Sequence, residues 1–296
     1  MINRRDFLLT TAATGAIAFS GSKFLAAAAA DQRYKIGVCD WMILKRQKLG
    51  AIKLAQEIGV DGIELDMGSL GQRDTFENAL IDRDVRKQFQ DQAAELGIEF
   101  CSMAMSGFYA QSFATRPTYK QMLSDCIATM TQMGVKVAFL PLGVQGDLNL
   151  HPELRPTIVA RLKEVGQMAV DAGVVVGIET ALDASDEAKL LHEIGSPGIR
   201  SYFNFANALQ NGRDLLAELR TLGKDRICQI HCTDEDGVWL ENNKRLDMPA
   251  VKQTLDDMGW SGWLVMERSR DANNPRDVRG NYGANARYLK KIFQST

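Results

Sequence analysis

The 296-residue chain is poor in the residues that build closed metal clusters and disulfide scaffolds. It has three histidines, His151, His192 and His231, too few for a histidine-rich multinuclear zinc shell. Its five cysteines, Cys39, Cys101, Cys126, Cys228 and Cys232, are odd in number and include no C-x-x-C pair. Cys228 and Cys232 fall on one extended run, where ~3.3 Å per residue separates them by roughly 13 Å, too far to bridge. All five therefore read as small buried hydrophobes. No G-x-G-x-x-G or Walker-type loop follows any strand-like run, which disfavours an open nucleotide-binding sheet. There is no basic stripe, and the formal net charge is -2. A dedicated nucleic-acid binder or a polybasic membrane patch would need the opposite. With 45% hydrophobic residues a chain of this length can build a core without staples.

The one extended weakly apolar stretch, residues 10–30, is broken by Gly15, Ser20, Gly21, Ser22 and Lys23, so a stable transmembrane span is not expected. It follows Asn3-Arg4-Arg5-Asp6-Phe7-Leu8-Leu9 and ends in five alanines, Ala26 to Ala30. A twin arginine, an apolar region and a small-residue end resemble a Tat signal peptide over residues 1–30, cleaved near Ala30/Asp31. The expectation is periplasmic export, with residues 31–296 as the mature domain.

Beyond the signal, short apolar runs at 34–39, 62–66, 99–103, 135–142, 174–179, 200–204, 226–232 and 263–267 read as strands. Amphipathic stretches at 49–58, 82–96, 117–133, 152–172, 184–194, 211–222, 248–258 and 284–293 read as helices. Glycine recurs where a helix must stop before the next strand, as at Gly59, Gly97, Gly134, Gly173 and Gly259. Eight β units alternating with eight α units predict a single α/β domain, a (β/α)8 TIM barrel.

Such barrels place their chemistry at the carboxyl ends of the strands. Four consecutive predicted strands end in polar groups: Glu179, Asn204, His231 and Glu267. Because side chains alternate along a strand, the flanking Ile178, Ile230 and Met266 face the helices while the polar groups face the mouth. Two carboxylates, an amide oxygen and an imidazole form a mixed oxygen and nitrogen shell. It suits one divalent ion, Mn²⁺ first, with Mg²⁺, Co²⁺ or Zn²⁺ as alternatives. Glu64 ends the second strand, where it binds substrate or only pins a neighbouring loop.

Asp61-Gly62-Ile63-Glu64-Leu65, Ile178-Glu179, Asn204-Phe205-Ala206-Asn207, Ile230-His231-Cys232-Thr233-Asp234 and Gly262-Trp263-Leu264-Val265-Met266-Glu267 together resemble the xylose isomerase-like TIM-barrel superfamily, with its sugar phosphate isomerases and epimerases. The resemblance covers residues 34–293 and rests on the order and spacing of these pieces. It implies that the residues matching Glu179 and Glu267 bind metal and form the acid/base pair, and that His231 is a ligand. It also implies aspartate on the sixth strand, in a D-x-x-N pattern. Here Asn204 and Asn207 stand instead. Asn204 either remains a neutral oxygen ligand, with lower metal affinity, or has left the shell.

The expected activity is a metal-dependent sugar isomerase or epimerase that abstracts a proton next to a carbonyl. Alternatives are a lyase or hydratase acting on 3-keto-glycosides by β-elimination, and a non-catalytic exported sugar-binding protein. Trp41, Asp234 and Arg268 join Glu64 as candidate substrate contacts. Trp41 stacks on a sugar face or is core, and Arg268 meets an anionic group or is solvated. The expected partner is a small carbohydrate, with no nucleic acid and no lasting membrane span, and oligomeric state stays open.

Overall fold

The computed structural model describes residues 33–295; the signal-like segment 1–30 lies outside the described residues. Eight parallel strands close in sequence order into a barrel. They are β1 (Tyr34–Cys39), β2 (Gly62–Asp66), β3 (Glu99–Ala104), β4 (Val137–Pro141), β5 (Val175–Glu179), β6 (Ile199–Asn204), β7 (Ile227–His231) and β8 (Gly262–Met266). Closure is made by β1 on β8, with Tyr34 opposite Gly262 and Val38 opposite Met266. The described residues form one compact unit. Among them no helix is long and apolar enough to cross a membrane.

The outer layer consists of α1 (Gly50–Ile58), α2 (Arg83–Leu96), α3 (Tyr119–Met133), α4 (Arg155–Asp171), α5 (Ala184–Ile194), α6 (Phe205–Gln210), α7 (Leu215–Leu222), α8 (Met248–Met258) and α9 (Val278–Phe293). Gly59 and Gly259, in the left-handed conformation, end α1 and α8 and turn the chain toward the next strand. Three helix starts differ from the sequence reading by more than two residues. The helix expected over 211–222 starts later, as α7 at Leu215, capped by Asp214, and an unexpected short helix, α6, precedes it, starting directly on β6 with Asn204 as its cap. The last helix begins six residues early, at Val278, because the Asp277 carboxylate accepts from the Gly280 N–H. The stretch expected over 152–172 opens as a 3-10 turn, Pro152–Leu154, before α4.

Two apolar layers follow from the alternation of the strands. Ile178, Ile230 and Met266 lie in the large core between strands and helices. The barrel interior holds smaller groups, Cys39, Cys101 and Val265 on one side, and Ala104, Phe139 and Tyr202 on the other. The interior is partly polar as well: Glu64, Ser102, Gln229 and His231 are fully or almost fully buried there. That polar column carries the site.

Candidate active site

Strand ends bring the four predicted groups together. β6 and β7 are paired with Asn204 opposite His231, and His231 sits opposite Val265 of β8. Glu179 closes β5, and Glu267 follows the last residue of β8. Glu267 is fixed from behind: its N–H and that of Arg268 donate to Thr233 Oγ, and Tyr282 OH donates to its carbonyl. All four side chains are buried.

The imidazole of His231 separates two groups of carboxylates. Nε2 donates to Glu64 Oε2 at 2.8 Å. Nδ1 faces the mouth, 3.4 Å from Glu179 Oε2 and 3.9 Å from Glu267 Oε2. Burial alone would lower the His231 pKa, but Glu64, Glu179 and Glu267 together outweigh it and push the group up to about 10. Glu267 is itself raised by burial and by Glu179, with His231 opposing.

Glu64 is fully buried beneath the imidazole rather than open to the mouth. Its other oxygen accepts from Tyr202 OH at 3.1 Å, and Tyr202 OH accepts in turn from Gln229 Nε2 at 2.8 Å. Cys39 Sγ approaches both Glu64 Oε2, at 3.3 Å, and His231 Nε2, at 3.6 Å. Cys39, Glu64 and His231 thus form a buried group with metal-ligating atoms within 4.8 Å of one another. An ion there would have to break the 2.8 Å imidazole–carboxylate bond, so the outward Nδ1 side is the better fit.

The outward side suits a divalent ion. Ligand bonds of ~2.1 Å at a tetrahedral angle place donor atoms about 3.4 Å apart, close to the spacings around Nδ1 and too long for strong hydrogen bonds. Two carboxylates balance one dication, with neutral imidazole as the third donor. A buried carboxylate on Nε2 fixes the tautomer that leaves Nδ1 free to coordinate. Asn204 does not share this orientation: its Oδ1 accepts from Ala206 N–H at 2.9 Å. Its Nδ2 donates to Glu179 Oε2 at 2.9 Å and to Glu267 Oε2 at 3.2 Å.

Tyr109, on the 3-10 turn Ser106–Tyr109 after β3, completes the mouth. Its hydroxyl lies 3.0 Å and 3.2 Å from the two oxygens of Glu179 and 3.3 Å from Glu267 Oε1. Burial first, then the two carboxylates, holds the phenol pKa far above its usual value, so it acts as a donor. Sequence reading places Tyr109 in an apolar lid but cannot assign this contact, which depends on how the turn folds back over the barrel.

The other predicted contacts are spread around the rim. Trp41 stacks on Phe139 with an interplanar angle of 13° and meets His231 edge-on. It lines a cleft of about 630 Å³ with Arg46, Gln47, Ser69 and Glu77. A second cleft of about 300 Å³ lies against Tyr109, Asp147, Glu179, Thr180, Asn207 and Asn211. Asp234 is buried, with its carboxylate accepting from Asn243, Arg245 and Glu235 N–H, and so anchors the loop after β7. Arg268 is exposed.

The closed parallel barrel, with an acid–imidazole cluster at its carboxyl end, defines a TIM-barrel protein. A family model described as xylose isomerase-like TIM barrel matches residues 52–292, and the chain belongs to that family. A 2-epi-5-epi-valiolone 7-phosphate 2-epimerase from Actinoplanes sp. is 28% identical over 205 residues, 68% of this chain and 72% of that one. Among solved structures, a 3-keto-D-glucoside 4-epimerase from E. coli superposes with a TM-score of 0.68 at 17% identity, covering 87% of this chain and 99% of its own. A D-psicose 3-epimerase from Clostridium cellulolyticum H10, solved with D-tagatose, gives 0.70 at 14% identity, covering 88% and 99%. At such identities the structures establish a shared fold.

Proposed function

We propose that the protein is a divalent-metal-dependent epimerase or isomerase of a keto- or aldo-sugar, with Glu179 and Glu267 exchanging the proton next to the carbonyl. The observation that carries this reading is the convergence of those two carboxylates, from β5 and the end of β8, on His231 Nδ1. A proton moved from one face of a carbon to the other needs a base on one side and an acid on the other. Glu267, raised by burial and by the charge of Glu179, is suited to holding a proton. Tyr109 OH lies between both, sharing its one proton, and keeps them oriented. An ion held by Glu179, His231 and Glu267 would supply positive charge where the substrate oxygen becomes negative.

The names of the relatives support sugar epimerisation. The donor set suits hard and borderline divalent ions, of which we propose Mn²⁺. The twin-arginine start supports export, and an exported enzyme meets free sugars and glycosides more than sugar phosphates. The test is incubation with Mn²⁺ and a panel of keto-sugars in D₂O. Deuterium should enter at the carbon next to the carbonyl, and Glu179→Gln or Glu267→Gln should abolish it. A broad panel giving neither exchange nor turnover overturns the reading. Exchange accompanied by an elimination product moves the assignment to a lyase.

A further inference from the structure

We infer that Asn204 stands outside the metal shell and clamps the two carboxylates that form it, leaving Glu179, His231 and Glu267 as the three protein ligands. This rests on the metal-site reading above. The orientation of the Asn204 amide is set by its surroundings. Exchanging its oxygen and nitrogen would set an NH₂ group against the Ala206 N–H, and an oxygen against two carboxylates. As placed, both N–H groups and the oxygen are engaged: the oxygen caps α6 at 2.9 Å, and one N–H goes to each carboxylate, at 2.9 Å and 3.2 Å. The residue is 6% exposed, so water does not compete for these bonds.

Chain geometry produces this double duty. Asn204 is the last residue of β6 and the cap of α6, with no connecting loop. An aspartate here would bring a third negative group within about 3 Å of two carboxylates, and only a bound cation would relieve the repulsion. Asparagine reverses that demand. Two donors hold Glu179 and Glu267 side by side before any ion arrives. The shell then carries two negative charges against a dication, with one more position open to water or substrate oxygens than a four-ligand shell has.

Mn²⁺ alone tests this on the full chain, at saturating concentration, by counting metal-bound waters from electron paramagnetic resonance in ¹⁷O-labelled water. Asn204→Ser is the key variant, because a serine hydroxyl can still accept from Ala206 N–H. The inference expects the same water number in Asn204→Ser as in the wild type, and one fewer in Asn204→Asp, which can supply an oxygen ligand. Mn²⁺ affinity should rise about tenfold or more in Asn204→Asp, the scale on which ligand environment sets affinity. One additional water in Asn204→Ser, with no change in Asn204→Asp, shows that Asn204 is a ligand and overturns the inference while sparing the metal site. A wild type that binds no Mn²⁺, like a Glu179→Gln control, removes the metal site and the inference together.

Discussion

Tyr109 is held by its ring and functions through its hydroxyl, so Tyr109→Phe separates the two. The ring packs on Phe139 with centroids 5.9 Å apart, and phenylalanine keeps that contact. What disappears is a donor to Glu179 and Glu267. Hydrogen bonds to charged groups contribute about 1.5–3 kcal/mol, which corresponds to roughly ten- to hundredfold in rate. Tyr109→Phe should lower kcat/KM by that factor on whichever sugar shows exchange, with little change in melting temperature. Unaltered kinetics would reduce Tyr109 to packing. At this scale the sequence reveals residues that end strands, because alternation and the barrel rule say where those side chains go. Glu179, His231 and Glu267 were legible for that reason. The roles of Glu64 and Tyr109 were not, since each is defined by a partner more than 60 residues away: His231 for Glu64, Glu179 for Tyr109.

At the scale of the element, α5 carries a carboxylate where a helix facing the barrel should be apolar. Glu187 is 4% exposed, and its Oε2 accepts from Thr180 Oγ at 2.9 Å. Burial pushes its pKa from 4.5 up to about 7, against the hydrogen bond from Thr180. The folded chain thus binds this proton more tightly than the unfolded chain. Stability should fall as pH rises from 4.5 toward 7, then level off. Glu187→Gln should remove that slope and melt higher than the wild type at about pH 8, where the native glutamate is buried and ionised. Parallel melting curves across this range would show that Glu187 is solvated. Helix boundaries were readable where glycine ends the helix, as at Gly59 and Gly259, or where Asp82 and Asp183 cap its start, but the starts capped by Asp214 and Asp277 were misplaced. α6 was missed outright, because its cap is a strand residue: the sequence around Asn204 offers no turn to signal a helix start, so the segment reads as loop.

Across the whole molecule, α9 ties the last strand to the first. It buries Tyr282, Ala286, Leu289 and Phe293, and Tyr282 OH holds the carbonyl of Glu267. Lys290 pairs with Asp61 at 2.6 Å, and Gln294 donates to the carbonyl of Tyr34. Each large side chain contributes about 1.5–3 kcal/mol by burial, so losing three of them approaches the ~5–15 kcal/mol that stabilises a typical domain. A chain ending at residue 277 should therefore lose its cooperative thermal transition in circular dichroism. A truncated protein that melts sharply would place barrel closure elsewhere. The eightfold alternation was visible in the sequence, but the weight carried by this closing helix depends on contacts across the whole chain.

The hydrogen bond from His231 to Glu64 lies inside that closed wall, with both side chains at 0% exposure. Its proton is consequently a clock. Transferred into D₂O, the protein should keep the imidazole Nε2–H resonance long after surface amides have vanished, because exchange there requires the strands themselves to part. Nuclear magnetic resonance of ¹⁵N-histidine would time that event from within the site, and a signal lost within the dead time would mean that the barrel floor opens freely.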